Sequence, residues 1–259
     1  MSLNNIIEKW LKDTNQKLDI KDLELTEWPK QLVGKEYLIK ILICSYNKLT
    51  SLLNGLTNLK KLYCSYNKLT SLPNGLTNLK ILFCSFNKLV SLPNGLTNLK
   101  GLQCSENQLT SLPNSLIKLE KLYCFNNELT SLPNGLTKLK ILHCYINKLT
   151  SLPNNLTKLE TLHCSHNKLT FLPNGLTKLK ELYCWDNKLF SNELKKWKKI
   201  WPISIQHQRV LRNAGLKNVV KVLKCRLYLP RLDELREELV WSPNHPGKFF
   251  VYLPRVGNW

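Results

Sequence analysis

Eight cysteines recur at a strict spacing of 20 residues between Cys44 and Cys184, and an asparagine follows each of them three residues later. A unit of this length is too short to enclose an apolar core of its own, so neighbouring units must stack and share one continuous interior. The spacing therefore predicts an elongated solenoid with non-repetitive ends. Any function of such a chain lies on its exposed surface.

Each unit carries apolar residues at fixed positions. In one unit these positions, together with the asparagine, are Leu59, Leu62, Cys64, Asn67, Leu69, Leu72, Pro73 and Leu76. Around Leu62, buried positions alternate with Lys61 and Tyr63, which is the period of a strand with one buried face. Each unit thus predicts one strand of a parallel sheet. Asn67 falls where the strand ends, so we expect a buried asparagine ladder that pairs with backbone groups. The return path through Pro73 is expected to be extended and irregular.

The unit reads Leu-x-x-Leu-x-Cys-x-x-Asn-x-Leu and continues as Ser-Leu-Pro-Asn-Gly-Leu. This sequence resembles the leucine-rich repeat family in its short form, which also occurs in secreted bacterial effectors. The resemblance covers about residues 39 to 190. It implies an α/β solenoid: a curved leucine-rich repeat horseshoe with a parallel β-sheet on the concave face, an extended and irregular convex side, and helical caps.

The non-repetitive start of the chain predicts a cap. Residues 1 to 17 are expected to form an N-terminal helical cap that covers the open end of the core. Its apolar residues fall on one helical face and are Ile6, Ile7, Trp10 and Leu11. The solenoid then covers residues 18 to 190, as one degenerate unit and eight regular ones. In the degenerate unit, residues 18 to 37, Leu23 stands where the asparagine is expected.

The last part of the chain, residues 191 to 259, predicts a mainly helical C-terminal cap or tail domain. Ser191 is the expected N-cap of a first helix through Leu194 and Trp197. Further helices are expected over residues 204 to 213, 217 to 228 and 231 to 239. The stretches Asp-Glu-Leu-Arg-Glu-Glu-Leu and Ser-Pro-Asn-His-Pro-Gly are similar to the tails of leucine-rich repeat proteins of giant DNA viruses.

The cysteine spacing favours buried free thiols over disulfides. Cysteines at one repeat position lie on adjacent parallel strands about 4.8 Å apart, farther than the roughly 3.8 Å between the Cβ atoms of a disulfide. Residues 1 to 13 lack the apolar stretch of a signal peptide. Both observations predict an intracellular protein in a reducing compartment, cytoplasmic or nuclear.

The formal net charge of +20 is unevenly distributed. It is −1 for residues 1 to 38, +12 for residues 39 to 188 and +9 for residues 189 to 259. Every arginine lies in the last segment, so the repeats use only lysine, which lacks the planar fork that suits phosphate recognition. A column of lysines from Lys48 to Lys188, interrupted by Gln108 and Glu128, either keeps the solenoid soluble or attracts an acidic protein or nucleic acid.

The candidate site lies on the outward strand positions, which vary most between units. Aligned aromatic side chains are anchors that interfaces favour, although they also stack on one another simply to cover a sheet. The candidate partner-binding residues are Tyr63, Phe83, Tyr123, Phe125, His143, Tyr145, His163, His166, Tyr183 and Trp185.

The three histidines of this set, His143, His163 and His166, are expected to lie close together. A metal site there is disfavoured, because no carboxylate or thiol clearly converges on them. The sequence also carries no glycine-rich phosphate loop, nucleophile elbow or paired carboxylates, and Cys225 lacks an evident base. We therefore expect no enzyme activity, no cofactor and no metal.

These features favour a non-enzymatic scaffold that binds a protein partner on the concave face, a host protein if the viral resemblance holds. Two alternatives remain: a nucleic-acid-binding protein that uses the basic surface, and an adaptor that recruits cellular machinery through its C-terminal helices. We expect a monomer without a membrane partner.

Overall fold

The structure, a computed structural model, describes residues 2–189 and 191–200. Within these residues, nine short strands lie side by side in chain order in one parallel sheet. The strands are β1 Leu18–Asp19, β2 Ile41–Ile43, β3 Lys61–Tyr63, β4 Ile81–Phe83, β5 Gly101–Gln103, β6 Lys121–Tyr123, β7 Ile141–His143, β8 Thr161–His163 and β9 Glu181–Tyr183. Equivalent residues of successive units pair, as Leu62 does with Leu82. The predicted solenoid with one strand per unit is confirmed.

Every regular unit buries the same apolar positions. Leu62, Cys64 and Leu69 are fully buried, as are their equivalents in most other units. All eight repeat cysteines are free and buried, as predicted. Burial raises the pKa of the Cys44 thiol to about 12, because a thiolate there would lose its hydration. The cysteines therefore act as small apolar core residues.

The asparagine ladder joins each unit to the one before it. The amide nitrogen of Asn127 donates to the carbonyl oxygen of Cys104 at 3.0 Å and to that of Cys124 at 3.2 Å. Its side-chain oxygen accepts the N–H of Leu109 at 3.0 Å. The predicted pairing is confirmed in every unit, whereas burial varies. Four of these asparagines are buried, namely Asn47, Asn127, Asn147 and Asn167, and the others are half-buried.

The residue before each ladder asparagine adopts a left-handed backbone conformation. Its φ is 57° at Tyr46 and 49° at Asp186, with similar values between. The N–H of Tyr66 donates to the carbonyl oxygen of Ser85 at 3.0 Å, so the bend keeps its hydrogen bond to the next unit. Such a conformation is unfavourable for residues other than glycine, asparagine and aspartate. The bend that turns the chain inward therefore fixes one left-handed position in every unit, and that position is strained in the units where it is not asparagine or aspartate. The return path beyond it carries no helix between residues 49 and 60 and in the equivalent segments of later units, as predicted.

The degenerate first unit lacks the asparagine without leaving its neighbour unpaired. Strand β1 pairs with β2 through Leu18 and Leu42, which are 24 residues apart. The side-chain oxygen of Asn47 accepts the N–H of Leu23 at 3.1 Å and that of Leu25 at 2.9 Å. A ladder asparagine pairs with the repeat unit before it. Leu23 can stand at this position because a helix and not a repeat unit comes before the first strand. Two 3₁₀ turns, Lys30–Leu32 and Glu36–Leu38, complete this unit.

Helix α1, Leu3–Lys12, packs on the first unit. The Ser2 hydroxyl accepts the N–H of Asn5 at 3.4 Å and caps the helix. Ile7 and Trp10 are buried, and Leu3 and Ile6 pack at the border of the core. Leu11 is 36% exposed, so its assignment to the buried face was wrong. The face that packs on the solenoid runs through Leu3, Ile6, Ile7 and Trp10, and Leu11 lies beyond its edge.

At the other end, helix α2 covers Leu194–Ile200. The Ser191 hydroxyl accepts the N–H of Glu193 at 3.1 Å, one residue before the first helical residue. Trp197 is fully buried, and its indole N–H donates to the Ser191 carbonyl at 2.8 Å. The helices expected within residues 204 to 239, and Cys225, lie outside the described residues. Among the residues that the structure describes, no helix has the length and apolar character to span a membrane.

Candidate interaction surface

The sheet face is the outward side of strands β2 to β9 together with the bend residues that follow them. Outward side chains alternate with buried ones along each strand, so Tyr63 and Ser65 flank the buried Cys64. Three columns of side chains therefore run along the solenoid, one through Tyr63, one through Ser65 and one through the left-handed Tyr66. Because neighbouring strands pair in register, side chains within one column touch.

The column through Tyr63 is a chain of aromatic contacts with one interruption at Gln103. The ring centroids of Tyr63 and Phe83 lie 5.1 Å apart at an interplanar angle of 84°. Beyond Gln103, successive rings are 4.8, 4.0 and 4.2 Å apart. The residues of this second run are Tyr123, His143, His163 and Tyr183.

The column through Ser65 brings together the largest predicted anchors. Phe125 and Tyr145 stack with centroids 4.5 Å apart and an angle of 5° between rings. Trp185 meets Tyr183 edge to face at 5.5 Å and is 54% exposed. Ser105, which precedes Phe125 in the column, is almost fully buried. The rings thus cover part of the sheet by stacking; Phe125 and Tyr145 are half-buried, and Tyr183 and Trp185 are exposed.

A second aromatic group was missed in the sequence analysis. Tyr46, Tyr66 and Phe86 form a continuous stack on the bend positions, with centroids 4.6 and 4.3 Å apart and angles of 9° and 10°. They are 56%, 42% and 40% exposed. These rings occupy left-handed positions that disfavour them, and the same backbone conformation recurs in every regular unit. The signal in the sequence was their constant place before each ladder asparagine.

The histidines separate into a stacked pair and a third ring that contacts a carboxylate. His143 and His163 stack with centroids 4.0 Å apart. His166, on the bend column, places Nδ1 2.8 Å from Oδ2 of Asp186. The prediction that no carboxylate converges was therefore wrong for His166, because Asp186 occupies the equivalent position of the next unit. Within residues 2–189 and 191–200, no group of three or more His, Cys, Asp or Glu side chains is placed to hold a metal ion.

Burial sets the charge of the stacked pair. The pKa of His143 is lowered to about 4, first because burial penalises the charged ring and then because His163 would repel it. The pKa of His163 is lowered by burial. The carboxylate of Glu181 acts in the opposite direction on both rings. Near neutral pH the pair is therefore an uncharged aromatic surface that continues the ring column.

A shallow groove crosses the opposite, return side of the solenoid. It is lined mainly by the Ser-Leu-Pro-Asn segments of residues 111–114, 131–134 and 151–154, with Asn94 and Phe171. The lining contains no charged side chain and no thiol, so its recognition chemistry is limited to hydroxyl, amide and apolar contacts.

Comparison with known proteins decides what the repeating unit is. Family models for leucine-rich repeats match residues 58–79 and, with two copies, residues 157–196. The repeating units are leucine-rich repeats. No curated protein sequence matches the chain. The resemblance to giant DNA virus proteins rests on the tail, which lies outside the described residues, and stays a prediction.

Solved leucine-rich repeat structures share the fold. The functional domain of InlJ from Listeria monocytogenes, which includes a cysteine ladder, matches with a TM-score of 0.64 and 33% identity over 71% of this chain and 42% of that chain. YopM, a leucine-rich effector protein from Yersinia pestis, matches with a TM-score of 0.65 and 27% identity over 74% of this chain and 61% of that one. YopM from Yersinia enterocolitica matches with a TM-score of 0.62 and 28% identity over 72% and 41%. This leucine-rich repeat chain thus spans less than two thirds of each of these structures.

Proposed function

We propose that this leucine-rich repeat solenoid is a non-enzymatic scaffold that binds a protein partner on its sheet face. The leucine-rich repeat fold suggests a protein-interaction scaffold, since its extended sheet offers a broad and variable surface on a repetitive core. The chemistry of a binding site depends on its exposed side chains and not on the fold.

The observation that carries the proposal is the cluster of half-buried and exposed rings in the C-terminal half of the sheet face. Phe125 stacks on Tyr145, and Trp185 contacts Tyr183. Rings held in place by their neighbours lose little conformational freedom when a partner covers them, and aromatic residues dominate the binding energy of many interfaces. In the neighbouring column, His143 and His163 link Tyr123 to Tyr183 through successive ring contacts.

The test compares affinity capture by the full chain and by two matched variants. The site variant carries alanine at Tyr123, Phe125, Tyr145 and Trp185 and is expected to lose its partner, with a weakening of at least about a hundredfold for a central aromatic cluster. The control variant removes exposed apolar side chains that lie outside the sheet face, namely Tyr37, Val90 and Ile117.

Circular dichroism and melting of both variants check that the solenoid stays folded. Capture that survives the site variant, or that is lost equally in the control variant, would refute the sheet-face site. Nucleic-acid binding, favoured by the net charge of +20, is distinguished by an affinity that falls steeply as salt is raised. The adaptor hypothesis concerns the C-terminal tail outside the described residues and is tested by deletion of residues 201 to 259.

A further inference from the structure

The first three regular repeats are free of acidic residues up to Glu106. Between Glu36 and Glu106 the sequence holds eight lysines and no aspartate or glutamate. From Glu106 to Lys188 it holds ten lysines and six acidic residues. The positive charge of residues 37 to 105 is therefore balanced only from outside that segment, as where Lys48 lies 3.4 Å from Glu24, whereas the charge of residues 106 to 188 is partly compensated within it.

Exposed lysines lie at both ends of the strands in the acid-free half. Lys60, Lys80 and Lys100 come immediately before strands β3, β4 and β5, and Lys68 and Lys88 follow the bends after β3 and β4. Within the described part of the chain, none of these five lysines forms an ion pair. They form two rows of positive charge on either side of the sheet face.

The column that contains Lys60, Lys80 and Lys100 is arranged differently in the C-terminal half. After Lys100 it alternates in sign, and Glu120 lies 3.5 Å from Lys140, while Glu160 lies 2.6 Å from Lys180. Neighbouring strands are about 4.8 Å apart, so like charges at equivalent positions repel each other. The column that contains Lys100 avoids this repulsion in its C-terminal half and retains it in its N-terminal half. An anionic ligand over the first half would relieve it.

Aromatic rings fill the space between the two lysine rows. Tyr63 and Phe83 lie on the strands, and Tyr66 and Phe86 stack on the bends. Single-stranded nucleic acid binds such surfaces by stacking its bases on free ring faces. Here the faces of Tyr66 are covered by its two neighbours in the stack. The edges of Tyr66 carry positive partial charge and suit carboxylates and aliphatic chain. This geometry favours an acidic polypeptide over nucleic acid.

We propose that this lysine–aromatic patch binds an extended polypeptide segment of consecutive aspartate or glutamate residues. The patch consists of Lys60, Lys80, Lys100, Lys68 and Lys88 with the rings between them. Successive side chains of an extended chain point to opposite sides. Carboxylates of a segment that runs along the solenoid therefore reach the two lysine rows alternately, while its backbone lies over the rings. The inference rests on the proposed function, because it specifies the chemistry of a protein partner on the sheet face.

The test measures fluorescence anisotropy of a labelled oligoglutamate with the full chain, and oligoglutamine of equal length is the uncharged comparison. The full chain is expected to bind oligoglutamate and not oligoglutamine. The triple substitution Lys60→Gln, Lys80→Gln and Lys100→Gln is expected to weaken binding at least about tenfold.

A matched variant removes the same charge outside the patch. Lys138, Lys158 and Lys178 occupy equivalent positions in three successive units, two residues before the position that corresponds to Lys60, and are exposed. Their replacement by glutamine is expected to weaken binding less than about threefold, since only long-range attraction is lost. Equal weakening by both triple variants would overturn the patch in favour of general charge attraction.

The rings are tested with Tyr66→Asn and Phe86→Asn together, because asparagine accepts the left-handed backbone of these positions. Oligoglutamate binding is expected to weaken about threefold or more with the fold unchanged. A short single-stranded oligothymidylate that binds the patch more tightly than oligoglutamate would overturn the choice of a polypeptide.

The inference and the proposed function fail separately. The variant with alanine at Tyr123, Phe125, Tyr145 and Trp185 is expected to keep its affinity for oligoglutamate, because these rings lie in the other half of the face. If oligoglutamate does not bind while partner capture still depends on those four rings, the inference is wrong and the proposed function stands. If oligoglutamate binds as expected while the variant without the four rings still captures the partner, the proposed C-terminal site is wrong.

Discussion

The side-chain oxygen of Asn127 accepts the backbone N–H of Leu109, 18 residues earlier in the chain, at 3.0 Å. The amide nitrogen of Asn127 donates at the same time to the carbonyl oxygens of Cys104 and Cys124. One side chain thus holds the bend of its own unit and ties that unit to the one before it. The units are joined by a repeated polar contact as well as by their apolar core.

Asn127→Leu is expected to lower the free energy of unfolding by on the order of 3 kcal/mol, because it leaves several buried backbone groups without partners. Chemical denaturation measures the change. The control is Asn54→Leu, at an exposed position of the return path, where an effect near zero is expected. Equal losses in both variants would contradict the role of the ladder.

The repeat cysteines are expected to be unreactive in the folded protein. At pH 8 a thiol with the pKa of Cys44, about 12, is thiolate in about one molecule in ten thousand, and the side chain is also inaccessible. With Cys225→Ser as background, a bulky disulfide reagent should modify no thiol quickly before denaturation and all eight afterwards. Fast modification of the native protein would contradict the buried core.

Ile146→Asn is expected to stabilise the protein by about 1 kcal/mol, because isoleucine is strained in the left-handed conformation and asparagine is not. The φ of Ile146 is 52°, and Asn126 already occupies the equivalent position of the preceding unit with a φ of 51°. The melting temperature should rise. Ile141→Asn, in the extended strand β7, is the control and should lower it. A fall for Ile146→Asn as well would show that its apolar contacts outweigh the strain.

His143 is expected to make the solenoid less stable in acid. Its pKa is lowered from 6.5 to about 4 in the folded chain, so the unfolded chain binds the extra proton between these values. The free energy of unfolding therefore falls as pH falls through this window. Because the ring is half-buried, solvent screening limits the effect to on the order of 1 kcal/mol. Melting curves of the parent and of His143→Gln between pH 7 and about pH 4 check this. A parallel pH dependence of the two proteins would contradict it.

Much of the fold was predictable from the sequence because the same pattern of buried and exposed positions recurs in every repeat unit. The alternation around Leu62 gave the strand and its buried face, and the position of Asn67 gave the ladder. The prediction was less accurate outside the repeats, as with Leu11 and with the helix after Ser191. A helix that occurs only once in the sequence is compatible with several buried faces and several N-cap residues.

The candidate surface was predicted only in part. The columns of Tyr63 and Ser65 followed from strand alternation, and their rings do lie in contact. The stack of Tyr46, Tyr66 and Phe86 did not follow, because period-two alternation ends with the strand and the left-handed bend lies just beyond it. The partner of His166 was missed for the same reason, since Asp186 lies on the same bend column.

The sequence alone determined that this chain stacks similar units and which side chains they bury. Units of 20 residues can bury their leucine side chains only against neighbouring units. Only the tertiary structure decided how exposed side chains meet across units. Contacts such as the ring stacks and the alternating ion pairs depend on the backbone angles of the bend and on the register between strands, which no single unit specifies.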